Sequence, residues 1–416
     1  MKEVYKSLKE CRICGSKNLY KYLDLGKTPL ANHLIELKNA DKKEDAFPLE
    51  VLYCKNCSLS QLSIVVEPEI LFSYYPYRSS VSKSFREHCA EMAAKAAEII
   101  EMNENGLAVD IASNDGCLLQ EFKKRNFKTI GVEPAKNLAK IAESNGIETI
   151  NRFWDSEAAK SISAKYGKAK IIAATNVFAH VDDLNEFMEG VKILLDNSGF
   201  FIVEVPYFHD LMANNEFDTI YHEHLSYFLV KPLQQLYKKH NFAIAGIEKY
   251  PIHGGTIRVY ASKSPKASLS TGRSANEFLD FERKEKMYMI ETYQKLESNA
   301  KKIKKKLVET LIKLNKDNKK IAAYGASAKG NTLLNYCGIG SSIVEFIVDD
   351  TPEKQNHLAP GSRIKIVDSG FIEKEKPDYL LLLAWNFAKE IMKKTENFRN
   401  NGGKYIIPIP DVRIIQ

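Results

Sequence analysis

The sequence predicts an α/β protein of three blocks: a small N-terminal domain with paired cysteines, then two separate doubly wound domains joined by a long helix. Three observations predict it. Two CxxC pairs fall within the first 57 residues. Strand-like apolar runs alternate with helical stretches from about Tyr74 to Ser264, and the same alternation returns after Lys319. A chain of 416 residues is also too long for one ordinary core. At 44% apolar and 27% charged, the composition excludes a disordered chain.

The first block runs to about Ser73 and is short, turn-rich and strand-like. Its pairs Cys11/Cys14 and Cys54/Cys57 have the spacing of two knuckles, and four thiolates close a tetrahedral site around zinc. Four sulfur ligands leave no open coordination position, so the expected role is structural. A redox pair is the rival reading, but two matched pairs fit a shared metal better. Cys89, Cys117 and Cys337 are scattered and read as buried, idle thiols.

The second block, residues 74–264, opens with a helix through Phe85 to Met102 and continues as GLAVDIA, a helix from Leu118, TIGVEP, and the later strands IIAATNVF and FFIVEVP. In VDIASNDGCLL a strand ends at Asp110 and a tight turn leads into a helix N-terminus, which suits a nucleotide-type ligand. Ala112 and Asn114 stand where glycines are usual in such loops, and only Gly116 remains, with Ser113 between them. Glu133 ends the next strand, where a carboxylate accepts ribose hydroxyls. NAD and S-adenosylmethionine both satisfy this pattern; the compact SNDG turn, without room for a pyrophosphate, favours S-adenosylmethionine. Asn176 and His180 are expected at the carboxyl end of the sheet, and Phe153 and Trp154 are candidates to flank an adenine.

The stretch SKSPKASLSTGRS reads as a linker. It is followed by a charged helix from about Asn276 to Asn315 that bridges domains or pairs with another chain. The third block, residues 319–416, carries KKIAAYGASAKGNTLL, SIVEFIVDD and YLLLLAW as strand-bearing segments. Its loop from Gly325 to Asn331 lacks the Lys-Ser/Thr ending of a P-loop, yet Ser327, Lys329 and Asn331 are placed to meet a nucleoside diphosphate. Asp349, Asp350 and Gln355 follow the next strand, where a base or ribose would be read.

The motifs CRICGS with YCKNC, LDLGKTPLANHL, YPYRSSVSKSFREH, DIASNDG, NVFAHVDD, EFDTIYHEHLSYF, HGGTIRVY and YGASAKGN span nearly the whole chain in one order. In this the sequence resembles the nucleotide-sugar C-methyltransferases that act on deoxy-4-keto sugars. The resemblance implies an N-terminal zinc-binding domain, a central class I methyltransferase domain of Rossmann-like fold that takes S-adenosylmethionine, and a C-terminal Rossmann-like domain that helps hold a nucleoside-diphosphate sugar. It departs from the family's usual loop at Ala112 and Cys117. By the same likeness Tyr221, Glu223 and His224 carry the chemistry, with His224 the base and Tyr221 and Glu223 orienting it and binding the sugar. Methylating carbon requires a proton to be lost beside a ketone, hence a base and donors to the enolate oxygen.

His180 is a second candidate for base or oxyanion donor, and Tyr75 or Tyr77 is expected to reach the sugar. His253, beside Gly254 and Gly255, and Arg258 are further substrate candidates. The rivals are oxygen or nitrogen methylation of a similar sugar, and an RNA methyltransferase or RNA-binding protein. The net charge of +7 allows the latter, but the lysine run from Lys301 to Lys306 has no interleaved aromatics, so no nucleic acid partner is expected. No run approaches the roughly 20 apolar residues of a membrane span, and MKEVYKSLKE has no secretory core. A cytoplasmic monomer or small homo-oligomer without a membrane partner is expected.

Overall fold

The computed structural model describes residues 4–75, 78–100, 106–252, 254–264, 269 and 272–416. Tyr77 and His253, both expected at the site, lie outside the described residues.

The middle of the chain builds a seven-stranded sheet from Leu107–Ile111, Lys128–Val132, Thr149–Ile150, Ala169–Thr175, Leu195–Pro206, Ala243–Tyr250 and Thr256–Ser262. Numbered in chain order, the strands lie 3-2-1-4-5-7-6, and the last is antiparallel to both neighbours. Every residue of Leu107–Ile111 is buried, as a parallel strand covered on both faces requires. The strand ends are therefore where polar side chains emerge, and the switch point between strands 1 and 4 opens the cleft described below.

Five parallel strands form the core of the C-terminal sheet: Ile321–Tyr324, Phe346–Val348, Lys365–Val367, Tyr379–Leu382 and Lys404–Ile407. Numbered likewise, their order is 3-2-1-4-5, one half of a doubly wound fold. The N-terminal block is an antiparallel meander of Leu19–Thr28, Phe47–Cys54 and Ser60–Leu62. Alternate residues of Phe47–Cys54 are buried, so one face of this meander packs inward.

The three blocks are not strung side by side. Ser226–Tyr227, from the central block, pairs with Ser60–Gln61 as the edge strand of the N-terminal meander. Ile35–Glu36, from the N-terminal block, pairs with His357–Leu358 at the edge of the C-terminal sheet. The expected long helix is two helices, Ala275–Lys284 and Ile290–Lys316, broken where Lys286 takes φ +56. The break returns Tyr288 onto the buried Glu282 carboxylate, 2.6 Å from its hydroxyl, and that carboxylate also accepts from Tyr207 and from the Val230 N–H. The second helix buries Tyr293, Leu296, Ala300, Ile303, Leu307 and Leu311 within the chain's own core, so the apolar face is already covered. On its outer face Lys301, Lys305 and Lys306 pair with Glu297, Glu309 and Asp411.

Candidate active site and zinc centre

A cavity of about 1550 Å³ opens at the carboxyl ends of the central strands and is closed on one side by the C-terminal domain. One wall of it is the Asp110–Asn114 loop. Ala112 and Asn114 adopt φ +57 and +52, the left-handed region that glycine would occupy without cost. The loop holds because Ala112 N–H donates to Val132 O (2.7 Å) and Asn114 N–H donates to Glu133 Oε2 (2.8 Å). Glu133 Oε1 accepts from Ala135 N–H (2.8 Å), and burial raises its carboxyl above the usual range.

Asp110 is buried with its pKa raised by burial and by Glu133. Its Oδ1 and the Ser113 hydroxyl have no partner among the described residues, and both side chains line the cavity. Two orphaned polar groups beside a carboxylate fit a ligand that brings hydroxyl and amino groups, as S-adenosylmethionine does. Gly131 makes the fit possible, because a Cβ there would stand 2.5 Å from Ser113 Oγ. Gly116, expected on the cofactor, is instead the left-handed residue opening helix Cys117–Lys123 and packs against Ile147. Residues Ser79 and Ser80 donate their N–H groups to Asn114 Oδ1 and Asp115 Oδ2, so the chain before helix Lys83–Ile99 lies across the loop. Phe153 and Trp154 both line the cavity; Trp154 is tied by its indole N–H to Phe187 O (3.1 Å), and Phe153 is the more exposed. Asn176 lines it at φ +55, its N–H on Glu204 O.

Across the cavity from the Asp110–Asn114 loop, the turn after Phe217–Thr219 presents Tyr221 and His224. His224 Nδ1 donates to Thr219 O (2.9 Å), which fixes the tautomer and leaves Nε2 as the acceptor from the Tyr221 hydroxyl (2.8 Å). The His180 ring lies 5.1 Å from His224 and stacks on Phe72 at 5.7 Å. Burial lowers its pKa to about 4, so it stands neutral. Glu223 does not meet His224: its Oε2 accepts from the Tyr75 hydroxyl (3.2 Å) and its Oε1 from Asn32 Nδ2 (2.6 Å), and burial pushes its pKa up to about 7. Glu223 thus orients Tyr75, which lines the cavity, rather than the histidine. The second residue of the YHEH run, His222, turns away and donates to Pro48 O.

The far wall belongs to the C-terminal domain. Ser327 lines the cavity while capping helix Ala328–Cys337 by accepting from Gly330 N–H. Lys329 also lines it, 3.3 Å from Glu216 and 5.0 Å over the Trp385 ring. Trp385 in turn donates its indole N–H to Asp218 (2.7 Å). The sequence reading missed Glu216, Asp218 and Trp385, whose partners lie on the other domain.

Two expected substrate residues stand elsewhere. Arg258 is fully buried on its strand and is neutralised by Glu204 (2.6 Å) and Glu91 (2.9 Å), because a buried guanidinium must be paired. Asn331 is buried and donates to Ala31 O (2.7 Å). Asp349 and Asp350 are taken up by loop contacts, Asp349 with the Ala326 and Thr351 N–H groups and Asp350 with the Tyr324 hydroxyl.

The four N-terminal cysteines converge as expected, their Sγ atoms all within 4.8 Å of one another. A zinc ion with Zn–S bonds of about 2.3 Å spaces its sulfurs about 3.8 Å apart. Sγ separations of 3.3 Å for Cys11/Cys57 and 3.6 Å for Cys14/Cys54 fit that site. Both knuckles turn alike: Gly15 and Ser58 take φ +67, with Gly15 N–H on Cys11 O and Ser58 N–H on Cys54 O.

The strand order, the loop with its acidic partner on the next strand, and the cleft above them define a class I S-adenosylmethionine-dependent methyltransferase carrying an N-terminal zinc-binding domain. Three family models match the chain: a zinc binding domain over residues 11–72, a methyltransferase domain over 83–246 and a C-methyltransferase C-terminal domain over 251–410. The chain is also 36% identical to C-methyltransferase NovU of Streptomyces niveus over 415 residues, covering 100% of this chain and 99% of that one. The chain therefore belongs to the C-methyltransferase family.

Among solved structures, magnesium protoporphyrin IX methyltransferase from Synechocystis PCC 6803 with bound SAM overlays at a TM-score of 0.32 and 11% identity, covering 43% of this chain and 79% of that one. The PH0226 protein from Pyrococcus horikoshii OT3 overlays at 0.36 and 15% identity, covering 46% and 96%. No helix among the described residues is long and apolar enough to cross a membrane.

Proposed function

We propose that this S-adenosylmethionine-dependent C-methyltransferase methylates a nucleoside-diphosphate 4-keto-deoxy sugar at the carbon beside the ketone. The observation that carries the reading is the Tyr221–His224 hydrogen bond of 2.8 Å in the same cavity as the Asp110–Asn114 loop. Oxygen or nitrogen acceptors need no enolate. Carbon does, and the paired base together with the neutral His180 supplies both of its requirements.

Bound S-adenosylmethionine supplies an electrophilic methyl group. On this reading Asp110, Ser113 and Glu133 hold its polar groups and Phe153 flanks its adenine. His224 is the base, and its Nε2 lone pair points at the Tyr221 hydroxyl. Burial holds the Tyr221 pKa well above its ordinary value, so a free phenolate is disfavoured. The proton therefore leaves the sugar carbon for the Tyr221 oxygen as the Tyr221 proton passes to Nε2 in one concerted step. The C–H electron pair becomes the enolate C=C bond, the carbonyl π pair moves onto oxygen, and the neutral His180 ring N–H donates to that oxygen. With the cofactor bound, the enolate carbon would take the methyl as the sulfur–methyl bond breaks and its electron pair stays on sulfur. Tyr75 bears on the sugar, and Ser327 and Lys329 meet the diphosphate.

The test is mass spectrometry of sugar nucleotides after incubation with S-adenosylmethionine and a panel of 4-keto-deoxy sugars generated in situ. The expected product is one methylene heavier, appears in step with the demethylated cofactor, and is lost in His224→Ala. Cofactor binding without methylation of any member of the panel would sink the sugar assignment and make RNA the next acceptor to try.

A further inference from the structure

One short stretch of the N-terminal block, Leu30 to Ile35, contacts both other domains beside the active site. Ala31 O accepts from Asn331 of the C-terminal helix that begins beside Lys329 (2.7 Å). The next residue, Asn32, donates its side-chain amide to Glu223 Oε1 (2.6 Å), whose other oxygen holds the Tyr75 hydroxyl (3.2 Å). Three residues on, Ile35–Glu36 pairs with His357–Leu358 at the edge of the C-terminal sheet.

We propose that Asn32 is a positioning residue of the active site: it fixes the Glu223 carboxyl and, through it, the Tyr75 hydroxyl on the cavity wall. Its neighbour Ala31 registers that wall against the loop carrying Lys329. The proposal rests on the reading that Tyr75 bears on the methyl acceptor. The main chain of this stretch is already held by the strand pair and by Asn331, so the Asn32 amide is not needed to keep the segment in place. Its hydrogen bond goes to a carboxyl that is 3% exposed and whose donors among the described residues are Asn32 and Tyr75. A buried carboxyl that loses one of two donors rotates or takes up a proton, and either outcome displaces the hydroxyl it holds.

Two measurements on the full chain test this. The first is amide hydrogen exchange of Asn32→Ala, which needs no substrate. Exchange is expected to quicken over residues 69–75 and 219–228 and to stay unchanged over 321–337. Wild-type exchange over 219–228 would overturn the proposal. The second is a double-mutant cycle on turnover. Asn32→Ala is expected to lower kcat by about tenfold or more with the Kd for S-adenosylmethionine unchanged, and Asn32→Ala/Tyr75→Phe is expected to lose no more than Tyr75→Phe alone. Additive losses would overturn it. Should Asn32→Ala not fold, the isosteric Asn32→Asp, which sets an oxygen against Glu223 in place of the donor, serves both measurements. If the wild type methylates no sugar nucleotide, the substrate reading fails and the exchange result alone decides the positioning role.

Discussion

The Tyr221 hydroxyl lies 2.8 Å from His224 Nε2, and the opposite ring nitrogen is fastened to Thr219 O, so the two side chains form one hydrogen-bonded pair with a fixed tautomer. On the proposed mechanism, removing either end breaks the proton path without touching the Asp110–Asn114 loop. His224→Ala and Tyr221→Phe are each expected to lower kcat by about 10²–10⁴, the usual worth of a positioned acid–base group. The double variant should lose little more than either single one, because the two act together. Calorimetric binding of S-adenosylmethionine should be unchanged in all three, and steady-state kinetics beside that titration checks both halves.

At the Asp110–Asn114 loop, proposed to hold the cofactor, one carboxylate organises two backbone segments. Glu133→Ala frees the Asn114 and Ala135 N–H groups it now accepts from. The left-handed Asn114 then loses its anchor, and S-adenosylmethionine should bind on the order of 10–100-fold more weakly. Gly131→Ala is a steric counterpart: its Cβ would lie 2.5 Å from Ser113 Oγ, so Ser113 must move and affinity should fall while the acidic partner stays in place. Isothermal titration of both variants separates the two contributions.

What the sequence reveals here follows the range of the interactions. The two cysteine pairs, the DIASNDG loop and the YHEH run are local patterns: the four sulfurs converge, and the loop, Tyr221 and His224 line one cavity, whereas Glu223 turns to Tyr75 and Asn32. The two-residue strand Ile35–Glu36 carries no periodicity of its own, so its place on the C-terminal sheet rests on partners more than 300 residues away. Arg258 and Asn331 are polar residues in motif-bearing segments, and nothing local tells a buried ion pair or a domain tie from a substrate contact. The interruption at Lys286 was hidden for a related reason: the helical spacing runs on through it, and the break exists because Tyr288 answers the buried carboxylate of Glu282. Glu223 stands out in the YHEH run, but its partner does not, since Asn32 comes from the zinc-binding block.

Burial pushes the Asp218 pKa from 3.8 up to about 7 while its Oδ2 accepts from the Trp385 indole. Between these values the folded chain keeps a proton that the unfolded chain has released, so stability falls as pH rises through the window and levels off above about 7. Asp218→Asn keeps the acceptor oxygen and never ionises. It should match the parent near pH 4 and exceed it above pH 7 by on the order of 2–4 kcal/mol. Urea unfolding of both proteins at pH 4.5 and pH 8 reads the difference, and an equal gain at both values would show that charge is not the cause.

Zinc removal should reach further than the N-terminal block. The metal ties the two knuckles to each other, and the meander they anchor takes Ser226–Tyr227 as its edge strand, two residues beyond His224. A loosened meander would free that strand and, through it, the turn that holds Tyr221 and His224. Chelation, or Cys11→Ser with Cys57→Ser, is expected to release one zinc per chain and to lower Tm by more than about 5 °C, as the loss of a structural metal does. Methyl transfer should fall with it, whereas a catalytic zinc would leave Tm nearly unchanged as activity disappeared. Metal analysis, thermal unfolding and turnover on one preparation distinguish the two, because only a structural metal ties all three losses together.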